Sequence, residues 1–558
     1  MDRRSPAHLG VAPTAAVSIR QSVGHATVLP VLLSLLLLLA AVPAGAVEAT
    51  HSTGAAQGTT EVRRLAGPNR YGTAAELSRD GWATAASVVV ADGGSAFEAL
   101  VAGHLAARLD APLLLSTPPS SGLPAPTETV EELRRLDPSL VYQINDAVLP
   151  ALDEESVEVQ SVRGSSPATL AVAALRAVPG PPGLPTVVAS SAVFADALSA
   201  ASLAPAQLLL TAPDQLHPSS RAYLAEADAA EVHVMGGPAA VTEETVGQIT
   251  ALDLPVSRVA GPNRYATSVV AADVAGATAT HLAVASGQDW PDAVALVPWA
   301  ARRDAAVLLS TKAELPPEVR DALGPPTGSD RPPLATIEDV AVAGGTVAVG
   351  NYVDDQITAR LAGQPDPGAA AEVRALTMEE RAAMTGVSWR PGCPVGLDDL
   401  RVVQARRWLF DGTVADGGQL IVHVDVTADV TQVLQRIFEA RFPIARMEPV
   451  RRYAADDIAS MDANNTSAFN CRVVAGTTRW SEHAFGRAVD INPIENPYVG
   501  RTVVLPDAGR AYLDRSDVRP GMIIRPGPVV AAFAEVGWCW GADFSSSDDY
   551  QHFSESGR

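Results

Sequence analysis

The sequence predicts a multidomain protein in which three α/β repeats, each a parallel-sheet, Rossmann-like layer, are followed by one domain of different texture. Three observations carry this reading. A motif recurs at a period of about 97 residues through residues 61–363. Within each period, near-continuous apolar runs alternate with Ala/Leu-rich helical stretches, the pattern of parallel strands covered on both faces. Beyond a segment rich in Pro, Gly and Ala the repeat ends, and all three cysteines appear. A chain of 558 residues, 47% hydrophobic and 19% charged, has material for several cored domains.

The N-terminal residues 1–46 read as an export signal. Arg3, Arg4 and Arg20 precede the apolar run VLLSLLLLLAA (31–41), and Ala44-Gly45-Ala46 offers a small-residue cleavage site. The run is shorter than the roughly 20 residues a bilayer span requires, and the alternative reading is an uncleaved anchor. No stable membrane span is expected once the signal is removed. A formal net charge of −22 argues against a general nucleic-acid binder.

The repeats are bounded at 61–153, 157–253 and 256–362. RLAGPNRYGTA (64–74) returns as RVAGPNRYATS (258–268). The middle copy, VRGSSPATLAVAA (162–174), keeps an arginine, the glycine and a threonine but lacks the Asn-Arg-Tyr centre. A second block reads AFEALVAGHLA (96–106), VFADALSAASLA (193–204) and DWPDAVALVPWA (289–300). Each leads to an apolar strand: PLLLST (112–117), QLLLTA (207–212), AVLLST (306–311). Gly236-Gly237 and Gly344-Gly345 close the later copies, where the first has Asn145-Asp146. The order strand, loop, helix, strand makes each repeat a small α/β layer unit. Its Gly-rich turn lacks the Walker or GxGxxG spacing a nucleotide site requires.

These motifs, AGPNRY and FADAL above all, resemble the cell-wall-binding repeat of bacterial surface proteins. The resemblance implies non-covalent attachment to an anionic polymer of the envelope. Because the chain is acidic, such attachment needs a local arginine groove or bridging cations.

After the linker, 363–375, comes a domain at 376–557 with a different chemistry. In SEHAFGRAVDINP (481–493), His483 and Asp490 stand seven residues apart. A helix would separate them by about 10 Å along its axis, a straight strand by over 20 Å. A bend at Gly486 would let them converge. His552, in DDYQHF (548–553), supplies a third ligand. Two imidazoles and a carboxylate suit a catalytic Zn2+ with its fourth position left for water, and Asp549 is placed to accept that water's proton. Trp538 and Trp540 are expected in the core, and His423, within the strand-like LIVHVDV, is read as structural. Cys393, Cys471 and Cys539 allow one disulfide plus a thiol, or three buried thiols. If a bridge forms, Cys393 with Cys471 is favoured.

S-x-H-x-x-G-x-A-x-D followed by D-x-x-H resembles the zinc D-Ala-D-Ala carboxypeptidase and L-alanyl-D-glutamate endopeptidase family of peptidoglycan peptidases. The resemblance implies that His483, Asp490 and His552 bind one zinc and that Asp549 is the general base. It also implies that Arg472, in FNCR, stabilises a carbonyl oxygen or holds a substrate carboxylate. The fold implied is α+β, a small antiparallel sheet with helices to one side and the zinc at its open face. The resulting expectation is a secreted, cell-wall-associated zinc metallopeptidase acting on peptidoglycan stem peptides and tethered by its repeats to an anionic wall polymer. The rival reading is a wall-binding surface protein whose zinc domain is inactive.

Overall fold

The computed structural model describes residues 61–152, 156–180, 183–226, 229–275, 280–324 and 337–557. The expected signal peptide lies outside the described residues. Among the described residues no helix is long and apolar enough to cross a membrane.

Among the described residues twelve strands precede residue 363. They are β1 (Glu61–Leu65), β2 (Ser87–Asp92), β3 (Leu113–Ser116), β4 (Leu140–Ile144), β5 (Glu158–Val162) and β6 (Thr186–Ser190). The series continues with β7 (Gln207–Thr211), β8 (Val232–Met235), β9 (Val256–Val259), β10 (His281–Ser286), β11 (Ala305–Ser310) and β12 (Asp339–Ala343). They form three four-stranded parallel sheets, ordered β3-β2-β4-β5, β7-β6-β8-β9 and β1-β12-β10-β11. The sheets are therefore not the sequence repeats. Each takes its edge strand from the next repeat, and the third sheet takes β1 from the first, with Leu65 opposite Ala343. Three repeats thus close into a ring, and no repeat completes its own sheet.

The expected burial holds. All six residues of β11 and the centre of β2 are buried. The helices Ala96–Arg108 and Pro291–Arg303 pack closely where Gly103 admits the neighbouring backbone; a Cβ there would meet the Val294 carbonyl oxygen at 3.0 Å. The seam between first and third repeats is stitched by charge. Arg63 pairs with Asp80 (2.5 Å) and Asp339 (2.9 Å), Arg303 pairs with Asp80 (2.8 Å), and the Trp299 indole donates to Asp80 (2.7 Å).

The motifs of the two repeat blocks meet at the seams between repeats. Asp292 bonds Thr73 and Asp196 bonds Thr267, each carboxylate reaching from one repeat to the next. Burial pushes both carboxyls above their usual range. They sit against glycines in the left-handed region: a Cβ on Gly344 (φ +98°) would lie 2.3 Å from Asp292 Oδ2, one on Gly236 (φ +89°) 2.7 Å from Asp196 Oδ2. The middle copy departs from its sequence alignment. A Cβ on Gly67 would strike the backbone of Gly72 and Thr73, and one on Gly164 the backbone of Leu170. Leu170, not Thr169, therefore occupies the position of Thr73, and Ser161, not Arg163, that of Arg64. Leucine cannot bond a carboxylate, so Asn145 takes over: its side chain accepts from the Gly164 N–H (2.9 Å) and bonds Glu98.

The C-terminal domain opens with β13 (Glu372–Ala375), β14 (Leu400–Trp408) and β15 (Val414–His423), an antiparallel sheet in that order. β13 comes from the stretch expected to be linker. The amphipathic helix Thr427–Glu439 turns Val430, Val433, Leu434, Ile437 and Phe438 into the core. A second antiparallel sheet orders Ala488–Asp490, His552–Ser554 and Cys539–Trp540, with Asp490 opposite His552. Trp538 and Trp540 are buried, the latter stacked on Phe553. Cys393 and Cys471 are bridged, and Cys539 is free and exposed.

Candidate metal centre

Ser481 starts a short 3-10 helix, Glu482–Phe485, by accepting from the His483 N–H. Gly486 ends it at φ +66°, where a Cβ would strike the His423 backbone nitrogen at 2.7 Å. The chain then reverses into the strand Ala488–Asp490. Ser467 holds that strand's end through paired backbone bonds with Asp490 (3.0 and 2.9 Å). His483 and Asp490 are thereby brought from the two arms of one bend onto one point. His552 arrives from the paired strand.

The three side chains meet closely. His552 Nδ1 lies 2.9 Å from Asp490 Oδ1 and 3.2 Å from His483 Nε2, which lies 3.1 Å from Asp490 Oδ2. His483 Nδ1 donates to the Ala468 carbonyl at 2.5 Å. A carbonyl can only accept, so this bond fixes the tautomer and leaves the Nε2 lone pair facing the cluster. Ligands 2.0–2.2 Å from a tetrahedral zinc stand about 3.3–3.6 Å apart, near the spacing seen. Among the described residues this trio is the group of His, Cys, Asp and Glu side chains able to hold a metal ion. A lone pair and a carboxylate packed together with the second imidazole in a buried site call for a cation. Burial opposes charge on Asp490, but the facing His483 and His552 outweigh it and hold the carboxyl well below its usual range.

Asp549, three residues before His552, lies in a short strand pairing Asp548–Asp549 with Tyr498–Val499. Gly541 makes room for it: a Cβ there would lie 2.6 Å from the Asp549 carbonyl oxygen and 3.1 Å from His552 Cβ. Asp549 Oδ1 is buried and meets no hydrogen-bond partner among the described residues. Burial, with the Asp490 charge adding to it, pushes the carboxyl up to about 6 against the opposing pull of His552, His483 and Arg472. Arg472 pairs with Asp457. Asp457 is itself held by the Asn470 amide (2.7 Å), and the Asn470 N–H bonds the His483 carbonyl (3.1 Å). His423 stands outside the cluster, its Nδ1 accepting from Arg487 (3.2 Å). Sequence reasoning missed Ala468, whose carbonyl orients His483, and the Asp457–Asn470 pair behind Arg472. A backbone acceptor leaves no mark in sequence.

Comparison with known families agrees with this division. Residues 475–555, which include His483, Asp490, Asp549 and His552, match the family described as D-alanyl-D-alanine carboxypeptidase. Residues 64–151, 159–246 and 258–354 match cell wall binding domain 2 (CWB2). The chain carries three CWB2 repeats and a C-terminal domain of the carboxypeptidase family.

Among individual proteins, it is 31% identical over 174 residues to N-acetylmuramoyl-L-alanine amidase LytC of Bacillus subtilis (strain 168), covering 31% of this chain and 33% of that protein. It is 27% identical over 179 residues to the amidase enhancer of the same organism, covering 32% of this chain and 23% of that protein. The matches thus span a third or less of these curated relatives. Two solved structures are similar: Cwp6 from Clostridium difficile (23% identity, TM-score 0.48, covering 55% of this chain and 49% of that one) and Cwp8 (21%, 0.46, 54% and 52%).

Proposed function

We propose that the protein is a secreted, wall-anchored zinc metallopeptidase that hydrolyses amide bonds in peptidoglycan stem peptides. The bond would be the D,D-carboxypeptidase bond or one of the L-alanyl-D-glutamate type. The observation that carries the reading is the buried convergence of His483 Nε2, His552 Nδ1 and the Asp490 carboxylate within 4.8 Å of one another, with an Asp549 oxygen beside it that has no hydrogen-bond partner among the described residues. His483, Asp490 and His552 would hold the ion. Bound zinc supplies Lewis-acid polarisation and acidifies a water. Asp549, its Oδ1 buried and without a hydrogen-bond partner among the described residues, accepts the water's proton and returns it to the leaving amine. Arg472, fixed by Asp457, offers a positive charge for the carbonyl oxygen or for a substrate's terminal carboxylate.

The repeats would attach the enzyme to an anionic wall polymer, which supports a wall-associated location. Arg70 and Lys312 line a cavity of about 450 Å³ at the seam between the third and first repeats, with Asp289 and Asp292 facing them, so an anionic polymer would need bridging cations there as well. The positions equivalent to Lys312 after β3 and β7 are Pro118 and Pro213, so this seam alone carries the lysine. The test is digestion of purified sacculi and of generic peptides by the full chain, with products identified by mass. Release of new stem-peptide termini from sacculi alone supports the reading. Equal cleavage of generic peptides, or metal content without hydrolysis, refutes it.

A further inference from the structure

We propose that the ring and the peptidase domain form one rigid body, so that the ring fixes where the metal site stands. The composition of residues 363–375 suggests a hinge, but its residues are held one after another. Arg320 and Arg360 each donate to the Asp366 carboxylate at 2.7 Å, and Gln356 donates at 3.0 Å. The Tyr352 hydroxyl donates to the Pro367 carbonyl (2.7 Å). A Cβ on Gly368 would strike the Gln435 amide at 2.2 Å. Ala369, fully buried, donates its N–H to Gln435 (2.9 Å) and accepts from the Arg406 N–H (2.8 Å). Glu372–Ala375 is already a strand of the next domain's sheet.

The domains also touch beside this connection. The Tyr352 ring, 7% exposed, stands edge-on to Trp408 (6.0 Å) and Phe438 (5.6 Å) of the peptidase domain. Arg406 pairs across the boundary with Asp355, and Arg441 with Glu314 (2.6 Å). A flexible tether spreads its cargo over many positions. This joint presents one. If the peptidase reading holds, on which this consequence rests, only bonds at a fixed offset from the polymer gripped by the ring come within reach of the active site.

The test places one nitroxide on the native, exposed Cys539 and another on Val347→Cys, an 81% exposed ring position, in the full chain. Pulsed electron resonance should give one narrow distance peak. Asp366→Ala combined with Tyr352→Ala should broaden it. Arg441→Glu should broaden it too, and adding Glu314→Arg should restore it, a rescue that separates joint loosening from misfolding. A broad distribution in the otherwise unmodified chain, or a narrow one in all variants, overturns the proposal. Hydrolysis supplies an independent arm: the loosened variants should change several-fold on sacculi but not on a short soluble stem peptide. If the unmodified chain cleaves neither substrate while the distance results hold, the peptidase reading fails and the rigid joint stands.

Discussion

His104 makes the ring's stability depend on pH in a direction opposite to that of a salt-bridged histidine. It lies in the helix Ala96–Arg108, is 2% exposed, and neither ring nitrogen meets a hydrogen-bond partner among the described residues. Burial, with the neighbouring Arg108 adding to it, pushes its pKa from 6.5 down to about 3. The folded state therefore holds the imidazole neutral, while the unfolded chain binds a proton below pH 6.5. Stability from this group is full above that value and is lost as pH falls from 6.5 toward 3. At pH 5 the loss is about 2 kcal/mol, since each pH unit inside that window is worth about 1.4 kcal/mol. His104→Leu keeps an apolar side chain in the helix and removes the titration. Urea unfolding at pH 7 and pH 5 should show the unmodified protein losing about 2 kcal/mol more than the variant between the two conditions. Carboxylates titrate in both proteins and cancel in the difference. Equal losses would refute the buried, unpaired state of His104.

Other expectations follow from the seams and from the metal trio. His483→Ala and His552→Ala should each sharply lower bound metal, measured by elemental analysis of the full chain, because a lost ligand of three is poorly replaced by water. Gly344→Ala should destabilise the ring by about 2 kcal/mol or more, through its left-handed backbone and the approach to Asp292, whereas Gly345→Ala, with open space around it, should be tolerated in the same thermal melts. The full chain should sediment with isolated cell walls, and the bound fraction should fall with added salt or with chelation of divalent cations. Absence of sedimentation under every ionic condition would leave the ring as a spacer.

The period of the repeats and the apolar strands were legible because burial on both faces imposes near-continuous apolar runs. The exchange of β1, β5 and β9 between repeats was not, since a repeated sequence does not say which copy a strand joins. The middle copy misled for a related reason. Arg163 and Thr169 align by letter, but the close approach of Gly164 to Leu170 sets the register, and Asn145 does the threonine's work from another repeat. The convergence of His483, Asp490 and His552 was legible because ligand chemistry restricts residue types and a glycine at the bend makes their spacing workable. The joint was not, because a Pro/Gly/Ala composition carries no sign of the arginines that grip Asp366 from the preceding helices.

In the proposed mechanism His483, Asp490 and His552 hold the metal, and Asp549 moves the proton. Asp549→Asn separates the two roles in one sample, because the amide is nearly isosteric but cannot accept a proton. Metal content and hydrolysis of stem peptides should be measured together on the full chain. Metal should stay at the level of the unmodified protein while the rate falls by roughly 10²–10⁴, the range general-base catalysis supplies. Metal lost along with the rate would make Asp549 a ligand and demote Asp490, and full activity in the variant would contradict the assignment of the base.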